Sequence, residues 1–206
     1  MKAYLYVLDS LADWEIGYIT AELHSGRFLR KEADVSLVRT GRSAAAAVSM
    51  GGISLVPDVP IGDVLFSEED TLILPGGDGW LTGSHDELVS LLPELASRGV
   101  LLAGICAGTV PLARAGLLNT RKHTSVAGEF LVSVCPEYSG GDLYSAEPAV
   151  RDGRVITATG TAPLEFAREL FSAMAVMKPD TLENWYLLHR TGEARYYFGL
   201  EKSLKE

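Results

Sequence analysis

Leu101-Leu102-Ala103-Gly104-Ile105-Cys106-Ala107-Gly108-Thr109 is the stretch that decides how the rest of the chain reads. Val100 to Gly104 is wholly apolar, as expected of a strand covered on both faces in a parallel sheet. Thr109 to Ala115 reads as a helix closed by Gly116. Pro111 falls in its first turn, where a missing N–H costs little. Between strand and helix, Gly104, Cys106 and Gly108 make a G-x-C-x-G pattern, the thiol counterpart of a nucleophile elbow. Such a turn lifts one side chain above the sheet and crowds the positions two before and two after it, which must then be very small. It also leaves Cys106 at a helix N-terminus, whose free N–H groups favour negative charge. The thiol is therefore expected below the free value of about 8.5. A buried, inert cysteine is the commoner fate of the residue. Here the two glycines, the apolar strand before and the helix after favour the reactive reading.

On either side of this stretch, short apolar runs alternate with amphipathic stretches, the signature of a mostly parallel sheet between helices. Lys2 to Leu8 reads as the first strand, and a helix capped by Asp13 runs through Leu23 to Gly26. Val35 to Arg39 is a second strand. Gly41 to Ser49 has no clear period, and Met50 to Asp58 reads as a short hairpin or extended excursion. Thr71-Leu72-Ile73-Leu74 is a buried strand stopped by Pro75-Gly76-Gly77. Ser84 or Asp86 caps a helix that runs to Arg98 and Gly99. Val126 to Val134 is a weaker helix, and Ala149 to Ala158 a hairpin about Asp152-Gly153. A helix opens at Thr161 or Ala162 and reaches Met177, with Leu164, Ala167, Leu170, Phe171, Met174 and Ala175 on one face. Pro179 breaks the chain. The reading is one α/β domain over residues 1–178. Residues 179–206, with Trp185, Tyr186, Tyr196, Tyr197 and Phe198, form a helix and tail packed on it or on a partner subunit.

The composition narrows the function. The chain has 206 residues and a net charge of -9, without a run of Lys or Arg. That disfavours nucleic acid, which needs a basic footprint, and an anionic membrane surface. No run nears the roughly 18 apolar residues of a membrane span. The N-terminal segment stops at Asp9 without a small-residue cleavage site, so it reads as a strand rather than a signal peptide. Two cysteines, Cys106 and Cys135, make a reducing cytoplasm the default, though sequence leaves a disulfide between them open. His24, His85, His123 and His189 lack metal-ligand spacing, and no glycine-rich loop carries the Lys of a phosphate-binding loop. No metal or cofactor is expected.

Two loops fit the elbow. Pro75-Gly76-Gly77-Asp78-Gly79 follows a buried strand, so its N–H groups emerge at the same sheet edge. The N–H groups of Gly77 and Ala107 are candidates for an oxyanion hole. Asp13-Trp14-Glu15 also follows a strand end. Near a thiolate, Glu15 is expected to be pushed towards its protonated form, from which it donates a hydrogen bond to sulfur. An isolated Glu there more often just complements the helix dipole.

Together these segments resemble the ThiJ/PfpI family, within the class I glutamine amidotransferase-like superfamily. The pieces are Ala12-Asp13-Trp14-Glu15, Gly51-Gly52 with Pro57-Asp58, Leu74-Pro75-Gly76-Gly77, the elbow, Leu117-Leu118 to Thr124-Ser125, and Asp152 to Ala158. They span about residues 3–175 in the family's order, and the chain looks most similar to its bacterial intracellular protease or amidase branch. The resemblance implies a flavodoxin-like three-layer α/β/α sandwich, a homodimer, Cys106 as nucleophile, Glu15 as the buried acid and Gly77 as a loop donor. Peptidase, amidase, glyoxalase-like and isonitrile-hydrating members are known, as are oxidative-stress sensors and chaperones. The chain departs from the pattern in its histidines. Ala107 stands where protease-like members often carry His, and Val126 follows Thr124-Ser125 where others place one. His123 is the nearest candidate, expected at the surface. Gly160 to Glu165 lacks the His of the amidotransferase triad, so glutaminase chemistry is not expected. The implied function is a cysteine hydrolase of small amides, peptides or reactive carbonyl compounds. The alternative is a redox-responsive protein whose Cys106 is oxidised to a sulfinic acid.

Overall fold

A computed structural model describes residues 1–205. Its centre is a seven-stranded sheet. The strands are β1 (Lys2–Tyr6), β2 (Ser36–Gly41), β5 (Val59–Pro60), β6 (Thr71–Leu74), β7 (Leu101–Ile105), β8 (Ala149–Asp152) and β9 (Val155–Ala158), in the order β5-β2-β1-β6-β7-β9-β8. All neighbours are parallel except β8 and β9, the hairpin turning at Asp152-Gly153. β6 and β7 are buried at every position, which is why they contain no alternating polar residue. The segment without a clear period resolves into β3 (Ala47–Val48), which pairs antiparallel with β4 (Ser54–Leu55) in a separate two-stranded sheet.

Helices cover the sheet in two groups. α1 (Asp13–Ser25), α5 (Pro163–Met174), α6 (Pro179–Thr191) and α7 (Ala194–Ser203) pack on one another. α2 (Asp86–Ser97), α3 (Val110–Arg114) and α4 (Gly128–Val134) form the second group. The result is the expected three-layer arrangement around a mostly parallel sheet.

Several local expectations are corrected. Asp13 is the first residue of α1 rather than its cap. Its Oδ2 instead accepts the Gly51 N–H at 2.7 Å, tying the β3–β4 hairpin to the helix start. Neither Ser84 nor Asp86 caps α2, whose N-cap is His85. α5 stops at Met174 because Ala175 turns left-handed (φ 52°), which exposes Ala175 and carries Val176 and Met177 into the core. Pro179 opens α6 as its first residue instead of merely interrupting the chain.

The tail is two helices joined at Gly192, and its largest aromatic residue is sequestered. Trp185 is fully buried against Tyr18 and Phe171, and its indole N–H donates to Glu22 Oε1 at 3.1 Å. Glu22 is itself held by Arg27. Cys106 and Cys135 are both free thiols. No helix among the described residues is long and apolar enough to cross a membrane.

Candidate active site

The register of β6 against β7 pairs Leu74 with Gly104, so Pro75 and Cys106 leave the sheet at one edge. Cys106 adopts φ +56°, a left-handed conformation that costs a non-glycine residue about 1–3 kcal/mol and persists only where its surroundings enforce it. The enforcement is steric. A Cβ on Gly108 would lie 1.9 Å from the Leu74 carbonyl oxygen, and one on Gly104 would lie 2.6 Å from the Gly108 carbonyl. The elbow's glycines thus permit the close approach of β6, β7 and the 3-10 turn over Cys106–Thr109. Thr109 Oγ1 donates to the Cys106 carbonyl at 2.7 Å. It therefore accepts its 2.6 Å bond from Ser125, which pins the turn from outside the elbow.

Glu15 enters from the first turn of α1 and is 1% exposed. Its Oε2 accepts the Gly76 N–H at 2.6 Å. Its Oε1 has no partner of regular hydrogen-bond geometry among the described residues, and it shares the Cys106 sulfur as its polar neighbour. Burial pushes the carboxyl up to about 7, against the opposing pull of the Gly76 amide and the thiol. Burial first, and the Glu15 carboxylate second, push the Cys106 thiol up to about 12, although the Ala107 N–H donates towards the sulfur.

Burial and the Glu15 carboxylate thus act against the lowering expected of a helix N-terminus, to which only the Ala107 N–H contributes. Beyond the elbow lie only a single 3-10 turn and the five-residue α3, a weak dipole beside a buried carboxylate. The pair has a simple consequence. The carboxyl ionises first and the sulfur keeps its proton, so thiol beside carboxylate is the resting arrangement and Glu15 the group placed to take that proton.

Gly77 comes after Gly76 with extended backbone and caps the 3-10 turn Asp78–Leu81. Its N–H and that of Ala107 belong to the two segments that flank the sulfur. His123 is not at the surface. It is fully buried, with Nδ1 on the Arg121 carbonyl at 2.7 Å and Nε2 on the Tyr138 hydroxyl at 2.6 Å. Both nitrogens are occupied, and the imidazole is no base for Cys106.

Sequence reasoning missed Gly160 and Trp14 as site residues. A Cβ on Gly160 would lie 2.7 Å from the Cys106 sulfur, so this loop after β9 forms the wall above the thiol. Trp14 is 56% exposed, and its indole N–H donates to the Gly160 carbonyl at 3.3 Å. A glycine shortly after an apolar strand was the only sequence signal for the wall.

An open, mostly parallel sheet with a strained cysteine elbow, a buried partner carboxyl and a glycine loop defines a class of α/β protein. The chain belongs to the DJ-1/PfpI family, whose model matches residues 1–173. The Bacillus subtilis protein named uncharacterized protease YoaZ is 39% identical over 204 residues, 98% of this chain and 97% of its own length. A Caenorhabditis elegans protein named glutathione-independent glyoxalase DJR-1.2 is 28% identical over 144 residues, 68% of this chain and 74% of its own. Among solved structures, a thiJ/pfpI family protein from Bacillus anthracis superposes with a TM-score of 0.96 at 38% identity, covering 100% of this chain and 97% of its own.

Proposed function

We propose that the chain is a cysteine-dependent hydrolase of small amides, peptides or reactive carbonyl compounds. The observation that carries the reading is the Glu15–Cys106 pair, a buried carboxyl that ionises before the half-buried thiol beside it and so can accept its proton during attack. The Glu15 carboxylate takes the thiol proton as sulfur bonds to the substrate carbonyl carbon. The carbonyl electron pair moves onto oxygen, where the Gly77 and Ala107 N–H groups receive it. When the tetrahedral centre collapses, the C–N bond breaks and Glu15 returns the proton to the leaving amine. Water then cleaves the thioester, with Glu15 again taking and giving a proton. No histidine is needed, which matches the occupied nitrogens of His123.

The names of the relatives fit both a protease and a glyoxalase chemistry, and each begins with attack on a carbonyl carbon. Oxidation of Cys106 to a sulfinic acid is less well supported. Oxidation needs thiolate, and a thiol pushed up to about 12 supplies little of it.

The test is turnover on a panel of amides, short peptides and α-dicarbonyls. Wild type is expected to exceed its Cys106→Ser variant by about 10²–10⁴-fold on at least one substrate. Equal rates across the panel would end the proposal.

A further inference from the structure

The Gly76–Gly79 loop has a second face, turned away from Cys106. It borders a polar cavity of about 440 Å³, formed by the segments that leave the carboxyl ends of β1, β2 and β6. β1 lies between β2 and β6, so the chain winds first to one side of it and then to the other. The crevice beyond β1 and β6 is thus the switch point of the sheet, where open α/β folds hold ligands. The volume lies in the range of small-molecule sites.

The proton inventory of its wall specifies what fits. Arg42 has no carboxylate within ion-pair range among the described residues, and its one hydrogen bond, to the Ser84 carbonyl, is long at 3.4 Å. Ser43 Oγ accepts the Ala45 N–H at 3.2 Å and keeps its own proton to give. These are donors for a carboxylate, which a planar guanidinium binds through paired N–H groups.

Ser84 and Asp9 present the opposite need. Thr82 Oγ1 donates to the Gly79 carbonyl at 2.9 Å, so the 2.8 Å bond between Thr82 and Ser84 uses the Ser84 proton and leaves its lone pairs open. Asp9 Oδ1 accepts the Val48 N–H at 2.9 Å, and its charge meets no cation in ion-pair range among the described residues. His85, fixed by a 2.8 Å bond between Nδ1 and the Tyr6 hydroxyl, also lines the cavity, and the fields of both Arg42 and Asp9 reach its ring. The remaining wall includes Val7, Ala46 and Pro57, which suits a small apolar substituent.

We propose that this cavity binds a small α-amino acid, its carboxylate on Arg42 and Ser43 and its ammonium on Asp9 and Ser84. The site is distinct from the elbow and does not require Cys106.

Calorimetric titration of the full chain with L-alanine, L-leucine and acetate tests it. Saturable, single-site binding of at least one amino acid is expected, with acetate at least about tenfold weaker for want of the ammonium. Arg42→Ala and Asp9→Asn, both at exposed positions, should each weaken the amino acid by at least about tenfold, while Cys106→Ala leaves it unchanged. Any of four results would overturn the assignment. These are no saturable heat, acetate binding as tightly as the amino acids, indifference to Arg42→Ala, and loss in Cys106→Ala.

Discussion

At the scale of single residues, the coupling of Glu15 and Cys106 is one-sided, since the thiol's hydrogen bond favours the Glu15 carboxylate while that carboxylate raises the cost of ionising the thiol. The Glu15 carboxylate disfavours the thiolate, so Glu15→Gln is expected to move the midpoint of Cys106 alkylation below that of wild type. The same change removes the group that takes the thiol proton. Turnover on any substrate found should therefore fall by about 10²–10⁴-fold, even as alkylation becomes easier. A variant that lost alkylation and turnover together would show that Glu15 only positions the cysteine. Alkylation read by mass spectrometry across pH, beside steady-state rates, separates these outcomes. Gln is a suitable probe because its carbonyl oxygen can keep the Gly76 N–H bond now made by Oε2.

At the scale of elements, α6 lies outside the stretch matched by the family model, and a defined contact fastens it to α1. Trp185 donates to Glu22, a buried carboxylate whose other bonds come from Arg27. Trp185→Phe keeps an aromatic ring but withdraws a donor from a buried charge, so a loss of about 1.5–3 kcal/mol is expected in urea unfolding at an unchanged m value. An unchanged midpoint would mean that the contact holds no stability. Elements also differ in how legible they are in the sequence. β6, β7 and the β8–β9 hairpin were readable because each is bounded by Pro or Gly and carries an unbroken apolar run or an Asp-Gly turn. The elbow was readable because its spacing is a steric requirement. The end of α5 was not, since Ala175 gives no sign that it will turn left-handed. Nor were the burial of His123, which depends on Tyr138 and Arg121 meeting it in space, or the raised thiol, which depends on how deeply Glu15 is buried beside it.

At the scale of the whole molecule, the aromatic tail divides between core and surface. Trp185 is covered from within its own chain and Tyr186 lies under Arg168, while Tyr197 and Phe198 stay exposed. Exposed apolar side chains gather on the β3–β4 hairpin, at Val48, Met50, Ile53 and Val56. Light scattering at micromolar concentration is expected to give twice the chain mass, and a single-chain mass would dispose of the dimer.

The stability of the fold should carry the signature of Glu15. Its carboxyl rises from 4.5 to about 7 on folding, so between those values the folded chain holds a proton that the unfolded chain has released. Stability conferred by this group is complete below about pH 4.5 and is lost as pH climbs through about 7, by about 3 kcal/mol in all. His85, His123 and His189 work in the opposite sense. Burial lowers each, so protonation on acidification favours the unfolded chain. The raw pH curve is thus a sum of opposing slopes, and only the difference between wild type and Glu15→Gln isolates the carboxyl. The two proteins should be nearly equal in stability at pH 4.5, where Glu15 is neutral like its replacement. Above pH 7 the variant should be the more stable, by up to about 3 kcal/mol in denaturant titrations. A difference that stays flat across this range would mean that Glu15 titrates in the folded chain as it does in water, and the raised carboxyl that the catalytic proposal uses as its base would be gone.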